Sequence, residues 1–284
     1  MDRRATLWAL YLPPLAWLGA FLVLPLLLTA ALSLRADLTG NVLQLWTPTL
    51  KHYMNLALAG SYWRLLGISA FMAFGVAVGA TGLAYPVAYF LAFKARLRSG
   101  LYLTLLLVPY WTSYLLRVMA WKILLGSEGA FNSLLIYTGL IDEPLTALLY
   151  NRGAVVVVLT YVWIPFAALP VLAALQRIEP ALLEAAADLG ASPARRFWRV
   201  TLPMSLPGVL GAFFMVFIPT IGEYVTPLLV GGSRGSMYGN IVQDFFTKAA
   251  NWPFGSALSM LMLVFTLGLV FVATRLLDLR DLFE

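Results

Sequence analysis

Six apolar stretches divide this chain, at about residues 7–34, 65–93, 101–125, 153–175, 206–230 and 254–277. A helix rises 1.5 Å per residue, so roughly 20 apolar residues cross the hydrocarbon layer of a bilayer. The pattern predicts an all-α membrane protein of about six transmembrane helices joined by modest loops. Prolines interrupt several stretches: Pro13, Pro14 and Pro25 in the first, Pro109 in the third, Pro165 and Pro170 in the fourth, Pro219 and Pro227 in the fifth. A spanning helix tolerates them where neighbours satisfy the freed carbonyls. The first stretch follows Met1-Asp-Arg-Arg4 in the manner of a signal peptide. Its apolar part exceeds the roughly 7–15 residues of such a peptide, so it reads as an uncleaved span. The second is rich in glycine (Gly67, Gly75, Gly79, Gly82), which suits close helix packing in lipid.

The polar segments are mostly plain loops. Residues 35–61 and 126–152 read as external segments, the latter with turn signals at Gly126, Gly129, Gly139 and Pro144. Residues 94–98 form a short basic loop, 231–252 an external loop with an ordinary turn at Gly231-Gly-Ser-Arg-Gly235, and 278–284 a charged tail. One segment differs. Residues 176–205 carry Glu179, Glu184, Asp188, Arg195, Arg196 and Arg199 between two apolar stretches. Gly190 suits the left-handed residue that ends a helix, Ser192 an N-cap, and Pro193 the first helical position after it. This grammar predicts two short helices joined by a tight bend at a membrane surface.

Composition removes other classes. The chain has 284 residues, 61% hydrophobic and 11% charged, with mean hydropathy +0.85; a soluble domain has about 25% charged residues. It has no cysteine, which excludes disulfides and thiolate metal sites. The net charge of +6 reads as the positive-inside bias of a membrane protein rather than as nucleic-acid binding. With the N-terminus inside, eleven Lys and Arg fall on inner segments and seven on the longer outer ones. Both termini and residues 176–205 are therefore expected in the cytoplasm, in a multi-pass inner-membrane protein. Trp8, Trp63, Trp121 and Trp252 near span ends are expected to be interfacial anchors. His52 is the only histidine and no GxxxxGK[ST] phosphate loop is present. No catalytic residue, metal or cofactor is expected, and energy from nucleotide must come through another chain.

Within 176–205, Glu184-Ala-Ala is followed by three residues, Gly190, nine residues and Val200-Thr-Leu-Pro203. This resembles the cytoplasmic-loop motif of ABC-importer permeases, with Val200 where that pattern has isoleucine. The resemblance covers about residues 65–277 and implies a type I importer permease fold. It implies that the loop is a coupling helix seated in a groove of an ATP-binding subunit, through Glu184, Ala185, Ala186, Asp188, Gly190, Arg195, Arg196, Leu202 and Pro203. Three alanines, Ala185 to Ala187, keep that helix thin, and Glu184 near its start accepts hydrogen bonds or faces a basic group. Gly190 permits the bend, while the arginines pair with acidic groups or lipid heads. The implied partners are two ATP-binding subunits, a second homologous permease, a periplasmic solute-binding protein and the bilayer, with no nucleic acid. The implied division is a first span with its loop (1–64), a transmembrane domain (65–277) containing the coupling loop (176–205), and a tail (278–284).

Two charges lie within spans, Arg117 in the third and Glu223 midway along the fifth. Ionisable groups there are costly and are functional candidates. A carboxylate beside aromatic rings suits a cation through charge pairing and cation–π contact. Tyr110, Trp111, Tyr114 and Trp163 supply rings, so Glu223, Tyr224, Tyr110, Trp111, Tyr114 and Arg117 are the expected substrate path; pairing of Glu223 with Arg117 or a sister subunit is the plainer alternative. Trp111-Thr-Ser-Tyr-Leu-Leu-Arg117, Ile141-Asp-Glu-Pro-Leu145, Gly222-Glu-Tyr-Val-Thr-Pro-Leu-Leu-Val-Gly-Gly232, Gly239-Asn-Ile and Asn251-Trp-Pro-Phe-Gly255 resemble permeases of spermidine/putrescine-type importers. That subfamily implies a polyamine solute, with opines, phosphonates or other small solutes as alternatives. An ion-coupled secondary transporter would show repeat symmetry and more intramembrane charge. A membrane enzyme would show clustered His, Asp or Glu, and neither pattern stands out.

Overall fold

The structure, a computed structural model, describes residues 3–36, 47–95 and 98–276, with side chains between Leu10 and Arg275. The tail 278–284, Arg96 of the basic loop, the Trp8 side chain, and Asp37, Asn41 and Gln44 lie outside the described residues. The α-helices are α1 (Arg3–Leu18), α2 (Leu24–Ser33), α3 (Lys51–Leu58), α4 (Gly60–Tyr89), α5 (Ser99–Leu107), α6 (Tyr114–Leu125), α7 (Ala130–Tyr137), α8 (Arg152–Gln176), α9 (Pro180–Asp188), α10 (Pro193–Arg196), α11 (Leu202–Ile221), α12 (Tyr238–Thr247) and α13 (Trp252–Leu276). Among the described residues, five continuous helical segments are long and apolar enough to cross a membrane: Leu10–Ser33, Gly60–Lys94, Arg152–Gln176, Pro193–Ile221 and Trp252–Arg275. A bent pair, Ser99–Trp111 with Tyr114–Tyr137, makes a sixth when counted as one span.

Three expectations change. The third span is not one helix through 101–125; its halves meet at 84°. Pro109 sits in a tight turn, Val108–Trp111, and Thr112 is extended, its hydroxyl donating to the Pro109 carbonyl at 2.6 Å. The external segment 126–152 contains α7 and a short turn at Thr146–Leu148 rather than loop alone. Asn132, fully buried, holds it: its Nδ2 donates to the Gly126 carbonyl at 3.0 Å and its Oδ1 accepts from Leu145 N–H at 2.8 Å. Finally, the second short helix of the polar segment is not free-standing. α10 runs through a π-helical turn, Phe197–Thr201, into α11, giving one helix from Pro193 to Ile221. In that turn Leu202 N–H reaches back five residues to the Phe197 carbonyl, next to Pro203, which has no N–H to give.

By internal contacts the chain forms two compact units, residues 1–64 with 241–267, and residues 65–240 with 268–284. In the first, a short antiparallel pairing of Arg35 with Pro48 closes the segment after α2. Ser33 Oγ and Tyr53 OH meet at 2.6 Å, and His52 Nε2 bonds the Arg35 carbonyl at 2.9 Å. Phe254 gathers His52, Tyr62 and Phe245 around it, and the Asn251 side chain caps α13 by accepting from Phe254 N–H at 3.1 Å. His52 is thus a packing and hydrogen-bonding residue.

In the second unit α8 is the central post. It packs along α11 at Gly208, where a Cβ would run into the Pro170 carbonyl and the Ala174 methyl. The glycine pair of α4 also meets α8: a Cβ on Gly79 would lie 3.1 Å from Thr160 Oγ1, and one on Gly75 4.0 Å from Val156. Small residues let these backbones approach, as close packing in lipid requires. The Asn151 side chain caps α8, accepting from Ala154 N–H at 3.0 Å.

Candidate functional site

The loop 176–205 follows its sequence grammar closely. α9 ends in a Schellman motif: Gly190 has φ +79°, its N–H donates to the Ala187 carbonyl at 2.8 Å, and Ala191 N–H donates to the Ala186 carbonyl at 3.0 Å. Ser192 then caps the next helix by accepting from Arg195 N–H at 3.4 Å, with Pro193 at its first position. Glu184 is the fifth residue of α9, so it lies mid-helix rather than at the start. Glu184, Ala185, Ala187, Asp188 and Gly190 are exposed, Ala186 is half-buried, and Leu189 is 89% exposed. Arg196 does not face outward. Its Nη1 donates to the Leu183 carbonyl at 3.3 Å, tying α9 to the base of the long helix. Arg195 is exposed; Leu202 and Pro203 sit past the π-helical turn, half-buried and exposed.

Four of the predicted path residues, Tyr110, Tyr114, Arg117 and Glu223, come together at two helix breaks in the second unit. α11 stops at Ile221, and Gly222–Tyr224 is non-helical before the chain turns helical again from Val225. Glu223 therefore sits in a break, not midway along a helix. Its Oε1 accepts from Val225 N–H at 2.9 Å and Thr226 N–H at 3.2 Å, capping the new turn. The Tyr224 carbonyl accepts from Leu228 N–H at 3.1 Å in the new turn and from Asn240 Nδ2 at 2.8 Å. Gly239 packs so tightly that a Cβ would lie 2.7 Å from the Glu223 carbonyl oxygen.

The other break is the bend before α6. Tyr114, the first residue of α6, holds the two breaks together: its hydroxyl meets Thr226 Oγ1 at 2.5 Å and lies beside the Glu223 carboxylate. The Arg117 guanidinium stands 4.0 Å above the Tyr110 ring and 6.0 Å from that of Tyr114. Tyr110 is edge-on to Phe166 at 4.2 Å, and Trp163 lies 5.6 Å from Phe166. Glu223 and Arg117 do not form an ion pair; Tyr114 contacts both instead. Trp111 is 81% exposed and Tyr224 is 42% exposed, so neither joins the cluster's interior.

Sequence reasoning missed Thr226, Phe166, Asn240 and the space held open by Gly239. Phe166 follows Trp163 by three residues and shares its helix face, and Thr226 lies three residues after Glu223 at capping spacing. Those two were findable, but no local signal points from Asn240 to Tyr224. A further feature is an apolar groove of about 640 Å³ between α4 and α11, lined by Val78, Tyr85, Pro86, Phe197, Leu210 and Phe213 among others. Tyr85 OH and Ser205 Oγ meet at 2.9 Å across these two helices.

Comparison with known proteins fits this architecture. Residues 4–281 match the family described as binding-protein-dependent transport system inner membrane component. The spermidine/putrescine transport system permease protein PotB of Escherichia coli (strain K12) is 34% identical over 267 residues, covering 92% of this chain and 95% of the relative. PotB of Haemophilus influenzae is 34% identical over 265 residues, covering 92% and 90%. Among solved structures, a chain of a bacterial alginate ABC transporter, in complex with alginate pentasaccharide-bound periplasmic protein, aligns with TM-score 0.70 at 18% identity, covering 96% of this chain and 94% of that one. A chain of the MetNI methionine ABC transporter in an inward-facing conformation aligns with TM-score 0.52 at 20% identity, covering 81% and 98%. The helical spans, the break-lined cluster and the extent of the family match lead to one conclusion: the chain belongs to the binding-protein-dependent transport system inner membrane component family, as a multi-pass membrane subunit of an ABC importer.

Proposed function

We propose that this chain is the permease subunit of an ATP-driven importer for a polyamine such as putrescine or spermidine. The observation that carries this reading is the cluster at the two helix breaks, where a carboxylate, Glu223, stands beside Tyr114 and near a run of aromatic rings. Broken helices near the bilayer midplane are where transporters bind solute, because only there do freed backbone groups line a path. A carboxylate with aromatic faces recognises alkylammonium groups. The identity to spermidine/putrescine permeases along 92% of the chain supports the same solute class. Tyr110, Tyr114, Arg117 and Glu223 form the inner surface of the path, with Trp111 and Tyr224 at its margin.

The chain does no covalent chemistry in this reading. Two separate ATP-binding subunits hydrolyse nucleotide, a second homologous permease completes the path, and a periplasmic binding protein delivers solute. Both termini and α9 face the cytoplasm, as the Lys and Arg distribution favours. The first span and its loop, 1–64, add to a transporting domain of 65–277. α9 enters a groove of the ATP-binding subunit with Glu184, Ala185, Asp188 and Leu189 outward and Ala186 half-buried at the side. Gly190 and Arg195 lie at the rim, and Arg196 braces the loop from within. Leu202 and Pro203 carry the motion into α11. Because Pro193–Ile221 is one helix, a push on α9 reaches the break at Gly222 along a continuous rod.

The test is ATP-dependent uptake of labelled putrescine and spermidine into proteoliposomes holding the full importer and its binding protein. Wild-type protein takes up at least one of them, and Glu223→Gln lowers the rate at least tenfold. Wild-type protein that transports neither overturns the polyamine reading.

A further inference from the structure

A buried arginine with no other purpose spends its five N–H donors on carboxylates and carbonyls, because each unmet donor in a low-dielectric setting is costly. Arg117, half-buried, does otherwise. Its guanidinium carbon lies 4.0 Å over the Tyr110 ring, within hydrogen-bonding reach of that tyrosine's hydroxyl, and its Nε is buried without a hydrogen-bond partner. The one membrane carboxylate nearby, Glu223, is not ion-paired with it although Tyr114 contacts both groups. Behind Tyr110 stand Phe166 and Trp163, and Trp163 Nε1 is likewise buried without a partner. Rings around a cation, polar groups left open and a carboxylate alongside are the arrangement of a site for a ligand cation.

We infer that Arg117 is a tethered cation: it occupies the aromatic site of the path when no solute is present, and so decides which cations pass. This rests on the reading of the cluster as a substrate path. While the guanidinium is seated, an incoming ammonium meets a like charge at low dielectric and is repelled. The ammonium enters only by displacing the guanidinium, which leaves on its flexible stem, and Glu223 then balances the newcomer. A hydrated inorganic cation gains little from aromatic faces and does not displace it. An alkylammonium gains cation–π contact and does.

The experiment uses the purified importer with its partner chains in lipid nanodiscs. Ligand binding is read from the Trp163 fluorescence change, taken as the difference from Trp163→Phe in each background. Two probes are used: methylguanidinium, which copies the arginine headgroup, and putrescine. Methylguanidinium is expected to bind Arg117→Ala at least tenfold tighter than wild type, because the vacated site has its shape. Arg117→Lys, which keeps the charge, stays within threefold of wild type, and adding Glu223→Gln to Arg117→Ala cancels the gain. Arg117→Gln serves in the same role if the alanine variant does not assemble. Methylguanidinium binding that is no tighter without Arg117 overturns the inference, whatever putrescine does. A gain for methylguanidinium with none for putrescine upholds the tethered cation and counts against the polyamine reading.

Discussion

Two sharp turns in the second unit, at Gly190 and at Gly222–Tyr224, are held by opposite means. At Gly190 the backbone turn is held by near neighbours: its Schellman bonds go to the Ala186 and Ala187 carbonyls and the next cap is Ser192, with the Arg196 bond to the Leu183 carbonyl as an outer brace. At Gly222–Tyr224 the local capping by Glu223 covers only Val225 and Thr226 N–H. The Tyr224 carbonyl takes Leu228 N–H and also Asn240 Nδ2, sixteen residues away, and the space depends on Gly239. The glycines differ in the same way. Gly190 has φ +79° and nothing within 4 Å of a Cβ, so it is there for its backbone angle. Gly239 has no such angle and is there because a side chain has no room. The reason is solvent. A turn in water can leave groups to water, whereas a break inside a membrane must have each freed group paired by protein.

The comparison yields a ranked set of substitutions. Gly239→Val should have the largest effect, roughly 3 kcal/mol or more, because overpacking against backbone carbonyls has no flexible neighbour to absorb it. Loss of the monodisperse peak in detergent chromatography, or a large drop in melting temperature, would show it. Asn240→Ala comes next. It removes one of two partners from the Tyr224 carbonyl, which keeps Leu228 N–H at 3.1 Å, and the side-chain partner of the buried Met237 N–H, which bonds Asn240 Oδ1 at 2.9 Å. One unmet buried donor and one weakened acceptor predict about 2–3 kcal/mol by thermal unfolding.

Gly190→Val is expected to lose only about 1–2 kcal/mol, since the strain is confined to one left-handed residue. Its global melting temperature should barely move, yet putrescine uptake should fall at least tenfold as α9 is misaimed. Gly190→Asn, which tolerates that conformation, should recover most of the uptake. Ser192→Ala is the smallest, about 1 kcal/mol of local helix stability, visible as faster amide exchange at the start of the 193–221 helix. If Gly190→Val lowered the melting temperature more than Asn240→Ala did, the contrast between local and distant support would be wrong.

The same contrast explains what could be read early. The coupling-type loop was legible because its determinants are short-range: Gly190, Ser192 and Pro193 act on neighbours, and each stands where predicted. The fate of α10 was not legible. Nothing in Pro193–Arg196 says whether the helix stops or runs on through the π-helical turn into α11. The cluster was half legible. Tyr110, Tyr114, Arg117 and Glu223 were named for their chemistry and do meet, but Trp111, beside Tyr110 in sequence, turns outward. Adjacent residues on a tight turn face different ways, and only the bend before α6 decides which ring points in.

The sequence by itself determined the class of this protein: apolar runs of spanning length, Lys and Arg asymmetry, and a spaced motif at a helix–glycine–helix bend. These are properties of residues within a few turns of one another, so no fold is needed to read them. Tertiary structure alone decided that the third span bends by 84° and the fifth breaks at Gly222. It also decided that Tyr114 joins the two breaks through Thr226 and that Arg117 rests on Tyr110 rather than on Glu223. The Tyr114–Thr226 bond links groups more than a hundred residues apart, and the Arg117–Tyr110 contact exists only because the chain bends between them; neither constraint is carried by a local stretch of the chain.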